Sequence, residues 1–95
     1  MTKESVLKIL KENKNDLKAK FDVQKIGLFG SFARDEANEK SDIDIIIKVN
    51  KKDFFKRFYI KEYLEKLFNK KVDVGYLESI RTPIKKIVEK ELIYV

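Results

Sequence analysis

Gly30-Ser31-Phe32-Ala33-Arg34, followed after six residues by Ser41-Asp42-Ile43-Asp44, is the stretch on which the reading of this chain turns. Upstream, Gln24 to Phe29 reads as a short strand that stops at Gly30. A short helix is expected from Ser31 to about Ala37, then a polar turn over 38–41. Residues 42–49, Asp-Ile-Asp-Ile-Ile-Ile-Lys-Val, read as a second strand rich in β-branched side chains. Successive strand residues point to opposite faces, so Asp42 and Asp44 share one face. Ile43, Ile45, Ile47 and Val49 take the other and can pack under helices. Two adjacent carboxylates repel unless a cation sits between them, and hard oxygen ligands suit Mg²⁺. Asp73, between Val72 and Val74, repeats the pattern on a third strand over 71–76. With that strand beside the second, three carboxylates on one surface could hold two metal ions roughly 4 Å apart, the arrangement used for in-line phosphoryl or nucleotidyl transfer.

Gly30 and Ser31 stand at the strand-to-helix turn. Glycine lets the backbone approach a ligand closely, and unpaired N–H groups at a helix start favour phosphate. The Ser31 hydroxyl can add a hydrogen bond. Arg34, one helical turn on, can neutralise phosphate charge or brace the loop through a carboxylate. Ser41 can cap the turn or bond a phosphate oxygen. Asp73 stands apart from the Asp42/Asp44 pair, which makes it the best candidate to assist deprotonation of an acceptor hydroxyl.

Working outward, residues 2–20 read as a helix with Thr2 as N-cap and an apolar stripe of Val6, Leu7, Leu10 and Leu17. Residues 52–69 read as a long helix. Thr82-Pro83 starts the last helix, with Thr as cap and Pro at the first position. That helix runs to about Glu91, and Leu92–Val95 forms a short extended tail. The expected fold is α/β (α+β), a small mixed sheet of three to four strands with helices on one face. The 95 residues make a single domain, 1–95, with a modest core.

Composition narrows the chemistry. There are no Cys and no His, which removes disulfides, thiolate and imidazole metal ligands, and histidine acid–base catalysis. Carboxylates, hydroxyls, Lys, Arg and backbone amides remain. No apolar run is long enough to span a membrane and no signal-peptide pattern opens the chain, so a cytoplasmic protein is expected. The net charge of +6 is uneven: residues 30–50 are net −2 and residues 51–71 net +5. An acidic island in a basic chain suits a cation. Nineteen Lys against three Arg read as solvated helix faces, so DNA binding stays unsupported.

Gly-Ser-x-x-Arg, a spacer, Ser-Asp-x-Asp and a later strand Asp closely resemble the DNA polymerase β-like nucleotidyltransferase superfamily. Nearly the whole chain resembles its minimal nucleotidyltransferase (MNT) branch, including Lys71-Val72-Asp73-Val74 and Glu91-Leu92-Ile93-Tyr94-Val95. The resemblance implies that Gly30 and Ser31 bind nucleotide phosphates and that Asp42, Asp44 and Asp73 coordinate Mg²⁺, with ATP as substrate. It also implies a HEPN-domain ribonuclease toxin as partner, silenced when the MNT antitoxin transfers AMP to a toxin Tyr hydroxyl. Two alternatives stand beside it. One is a non-catalytic module that masks its partner, and the other is transfer to RNA or a small molecule.

The long helix bears on the partner. Phe54, Phe55, Phe58, Tyr59, Ile60, Tyr63, Leu64, Leu67 and Phe68 spread around most of its circumference. Either the core and a neighbouring helix use all of them, or the surplus aromatics meet a partner or a second copy.

Overall fold

A computed structural model describes residues 1–53 and 55–95; Phe54, counted above among the apolar residues of the long helix, lies outside them. The elements run α1 (Lys3–Phe21), β1 (Val23–Phe29), α2 (Gly30–Ala33), β2 (Ile43–Val49), α3 (Lys56–Phe68), β3 (Val72–Tyr76), a 3₁₀ turn (Leu77–Ser79), α4 (Thr82–Glu91) and β4 (Ile93–Tyr94). The four strands form one mixed sheet in the order β3-β2-β1-β4, with β2 and β3 parallel and the other pairs antiparallel. No helix among the described residues is long and apolar enough to cross a membrane.

Three boundaries differ from expectation. The helix after Gly30 is a single turn that ends at Ala33 rather than Ala37, because the chain passes into the left-handed region at Asp35 (φ 61°). The long helix begins at Lys56 rather than 52, behind an Asp53 carboxylate that accepts the Phe55 and Lys56 amides at 2.8 and 2.9 Å. In the last helix Arg81 occupies the N-cap position without a side-chain bond, so Thr82 is the first helical residue rather than the cap. At the other end Thr2 caps α1 as expected, in a reciprocal pair with Ser5.

The core lies between one face of the sheet and helices α1 and α3. Ile43, Ile45, Ile47 and Val49 of β2 are buried there, as their alternation predicts, with Ile26 and Leu28 of β1 and Val72 and Val74 of β3. Val6, Leu10 and Leu17 of α1 and Ile60, Leu64 and Phe68 of α3 close over them. Truncating any fully buried member, such as Ile45→Ala, removes contacts worth about 2–5 kcal/mol. The opposite face carries Asp44, Ile46 and Lys48 of β2, and beside it Gly27, where an added Cβ would lie 2.8 Å from the Leu92 side chain. Leu92 therefore anchors the end of α4 across from the main core.

Two polar devices hold the layers in register. Asp22 ends α1 in the left-handed conformation (φ 60°), and its carboxylate gathers the Asn50 and Lys51 amides (3.1 and 3.3 Å) and Gln24 Nε2 (2.9 Å), with Lys56 Nζ 3.8 Å away. It thus ties α1, the end of β2 and the start of α3. The outer edge of β3 is covered by α3: Glu65 accepts the Val72 N–H (3.1 Å), and the Arg57 guanidinium donates to the Val74 carbonyl (3.2 Å). Asp22→Ala is expected to lower unfolding free energy by about 2 kcal/mol, through the lost acceptor and the left-handed backbone now imposed on Ala. Asp22→Asn should lose much less, and urea denaturation compares the two.

Candidate active site

The site forms where three chain segments meet at one end of the sheet. Phe29, the last residue of β1, pairs with Asp44, and Asp44 pairs in parallel register with Asp73 of β3. Registered residues on neighbouring strands project from the same face, so the two carboxylates stand side by side. The alternation that buries the β2 isoleucines is what forces Asp44 to the open face. Asp42 lies one residue ahead of the strand and is exposed.

Gly30 follows at once, with a left-handed φ of 75°. A side chain built there would collide with Asp44 Oδ2. Only glycine meets both demands, the positive φ and the close approach to a carboxylate. The loop backbone is thereby pressed against Asp44, with Ser31 next in line; no described residue hydrogen-bonds the Ser31 hydroxyl. Since α2 is a single turn, its helix dipole is slight, and any phosphate binding there rests on loop N–H groups and the Ser31 hydroxyl.

Burial raises the Asp44 pKa above the ordinary carboxylate value, with Asp73 and then Asp42 adding to the rise and Arg34 opposing it. The site therefore gathers negative charge that Arg34 offsets only in part. The Arg34 guanidinium is engaged with Glu36 at 3.4 Å and with Glu91 of α4 at 3.3 Å. Of the two roles open to Arg34, bracing is the one seen. The Ser41 hydroxyl is likewise used locally, accepting the Asn38 N–H at 3.0 Å in the turn before β2.

The fit to a metal can be judged from these donors. Among the described residues no three acidic side chains are gathered closely enough to make a ready cation cage. The structure brings Asp44 and Asp73 together on the sheet and leaves Asp42 at its margin. The pair is all-oxygen, crowded and electrostatically frustrated, which is the donor chemistry of a hard divalent cation.

Sequence reasoning missed the far wall of the site. Arg57, Phe58 and Lys61 of α3 border Asp73 and Val74 around a cleft of about 150 Å³. It also missed Glu91, the partner of Arg34. Phe58 stood among the surplus aromatics of the long helix, but nothing local tied it, Arg57, Lys61 or Glu91 to the site, because that depends on how α3 and α4 are laid against the sheet.

The chain belongs to the nucleotidyltransferase domain family, whose sequence pattern matches residues 7–95. It is 45% identical over 89 residues to a candidate protein adenylyltransferase of Methanocaldococcus jannaschii, covering 92% of this chain and 91% of that one. It is 38% identical over 96 residues to the protein adenylyltransferase MntA of Thermococcus cleftensis, covering 100% and 97%. Among solved structures, a candidate minimal nucleotidyltransferase superposes with a TM-score of 0.82 at 28% identity, over 98% of this chain and 95% of that one. The fold also recurs, with a TM-score of 0.60 at 24% identity, in a complex of the tri-AMPylated Shewanella oneidensis HEPN toxin with its MNT antitoxin, over 97% of this chain and 66% of that one.

Asp44→Asn separates stability from function. A raised folded-state pKa means that the charged carboxylate weakens the fold, fully so above that pKa. The variant should therefore melt higher than the parent at neutral pH. The gap should shrink as pH falls through the raised pKa toward the ordinary carboxylate range, where the parent also becomes neutral. Thermal melts across pH 4–8 test this, and a variant that melts lower at neutral pH contradicts it.

Proposed function

We propose that this nucleotidyltransferase is a Mg²⁺-dependent protein adenylyltransferase of the cytoplasm that acts as an antitoxin, transferring AMP from ATP to a Tyr hydroxyl of a HEPN ribonuclease toxin. The observation that carries the reading is the registered Asp44–Asp73 pair with Gly30 pressed against Asp44. The relatives named as protein adenylyltransferases, and the toxin–antitoxin complexes that share the fold, support the choice of a protein acceptor.

Asp44 and Asp73, with Asp42 contributing from the margin, would hold Mg²⁺. When bound there, Mg²⁺ supplies Lewis-acid polarisation of phosphate oxygens and relief of the carboxylate repulsion. The remaining work falls to the chain itself. The Gly30-Ser31 loop positions the triphosphate. Asp73 accepts the proton of the acceptor hydroxyl as its oxygen bonds to the α-phosphorus. The bond from that phosphorus to the bridging oxygen breaks, and pyrophosphate leaves. Arg34, braced by Glu36 and Glu91, keeps the loop in place rather than touching the reacting atoms. The products are AMP esterified to the acceptor and free pyrophosphate.

Exposed Phe58 and Tyr59 on α3 keep one second reading in view, neutralisation by masking alone. The two readings part in a single assay. With ATP, Mg²⁺ and the HEPN partner, mass spectrometry should show AMP on a partner Tyr, and the rate should fall at least about a hundredfold in Asp73→Asn. Toxin ribonuclease activity should then persist in the presence of Asp44→Asn or Asp73→Asn. If those variants silence the toxin as well as the parent does, masking is the function.

A further inference from the structure

The two edges of the sheet are built differently. The β3 edge carries α3, with Glu65 on the Val72 N–H and Arg57 on the Val74 carbonyl. The other edge belongs to β4, and no described strand lies beyond it. The Val95 N–H donates to the Ile26 carbonyl at 3.1 Å, so residues 26 and 95 form a bonded pair of the antiparallel ladder. Bonded and non-bonded pairs alternate, which makes Gly27 and Tyr94 a non-bonded pair. The Tyr94 N–H and carbonyl therefore face away from β1, toward the free side of the sheet.

The side chains around that free position are apolar. Ile93 and Val95 are half-buried against the margin of the core, while Tyr94 is 45% exposed on the open face beside Gly27. Between β4 and α1 lies a groove of about 530 Å³, walled by Leu7 together with β4 and carrying Glu4, Lys8 and Lys11 as its charged lining. None of these three makes an ion pair among the described residues.

This edge is complementary to itself. The chain reverses at Asp22 from α1 into β1, and β4 is antiparallel to β1, so α1 and β4 run in the same direction. A second copy laid antiparallel on a two-fold axis through Tyr94 exchanges two hydrogen bonds between the Tyr94 N–H and carbonyl of each chain. Ile93 then faces Val95 of the second copy on the α1 side, and the two Tyr94 rings become neighbours on the open face. The same axis reverses α1, which sets the Glu4 end of one groove toward the Lys11 end of the other. A purely acidic segment of another protein would leave Glu4 opposed, and a purely basic one would leave Lys8 and Lys11 opposed. A groove that holds both signs at its two ends is matched by its own copy.

We propose that β4 is the seam of a homodimer, in which two four-stranded sheets continue into one another through Tyr94 and are flanked by antiparallel α1 helices. Asp44 and Asp73 lie on β2 and β3, away from the seam, so each copy keeps its own open site.

Sedimentation equilibrium of the full chain over a concentration series tests this. The mass should rise from one chain to two and no further, because a two-fold contact closes on itself. Tyr94→Pro removes the outward N–H and the ring without removing a β1–β4 bond, and should weaken the dimer at least about tenfold. Glu4→Lys and Lys11→Glu should each weaken it about fivefold, and the double variant carrying both should return to the parental constant. The proposal is overturned if the chain stays monomeric at every concentration, if Tyr94→Pro dimerises as well as the parent, or if the double charge variant dimerises no better than the single ones. A parent that stays monomeric, and whose Tyr94 amide resonance moves only when a different protein is added, would assign the edge to that protein and equally refute the homodimer.

Discussion

The carboxylate of Asp44 has almost no room. The Gly30 backbone closes on it from one side and Asp73 stands beside it on the other, while burial strips away part of its water. Neither neighbour relaxes easily. Gly30 is fixed by the end of β1, and Asp73 by parallel pairing along five residues of β2 and β3. A folded chain that tolerates this much negative charge on a sheet is spending stability on a site. A cation and a polyphosphate would turn the same crowding into an attraction.

Rigidity comes from the opposite side of the sheet. The isoleucine row of β2 is buried under α1 and α3, and that burial determines which β2 residues face outward. Asp44 is thus held in place by Ile43 and Ile45 as much as by anything in the site. The Asp22 carboxylate and the Arg34–Glu91 pair do corresponding work at the margins, fastening α3 and α4 to the frame. The Arg34–Glu91 pair is partly solvated, so its value lies in geometry more than in free energy.

The parts legible in the sequence were those encoded by local rules. Period-two alternation placed Asp44 and Asp73 on one face, and the β-branched run placed β2 within a residue. The glycine at 30 marked a turn, and the structure shows why no other residue serves there. The parts missed were those that need the third dimension. The left-handed backbone at Asp35 shortened the helix after Ser31, and nothing in Arg34-Asp35-Glu36 announced it. Ser41 and Arg34 looked as able to bind phosphate as to brace the loop, and only the positions of Asn38 and Glu91 show what they touch. The wall of Arg57, Phe58 and Lys61 became visible only once α3 was laid along the edge of β3.

That covering of β3 carries a last consequence. Glu65 and Arg57 are already hydrogen-bonded to two groups of its outer rim, the Val72 N–H and the Val74 carbonyl, so those two places are closed to the ladder of another polypeptide. Association on this flank is thereby turned toward side chains meeting side chains. Such recognition can be redirected by a few surface substitutions without disturbing the fold, which leaves a small catalytic scaffold free to change clients as its lineage diverges.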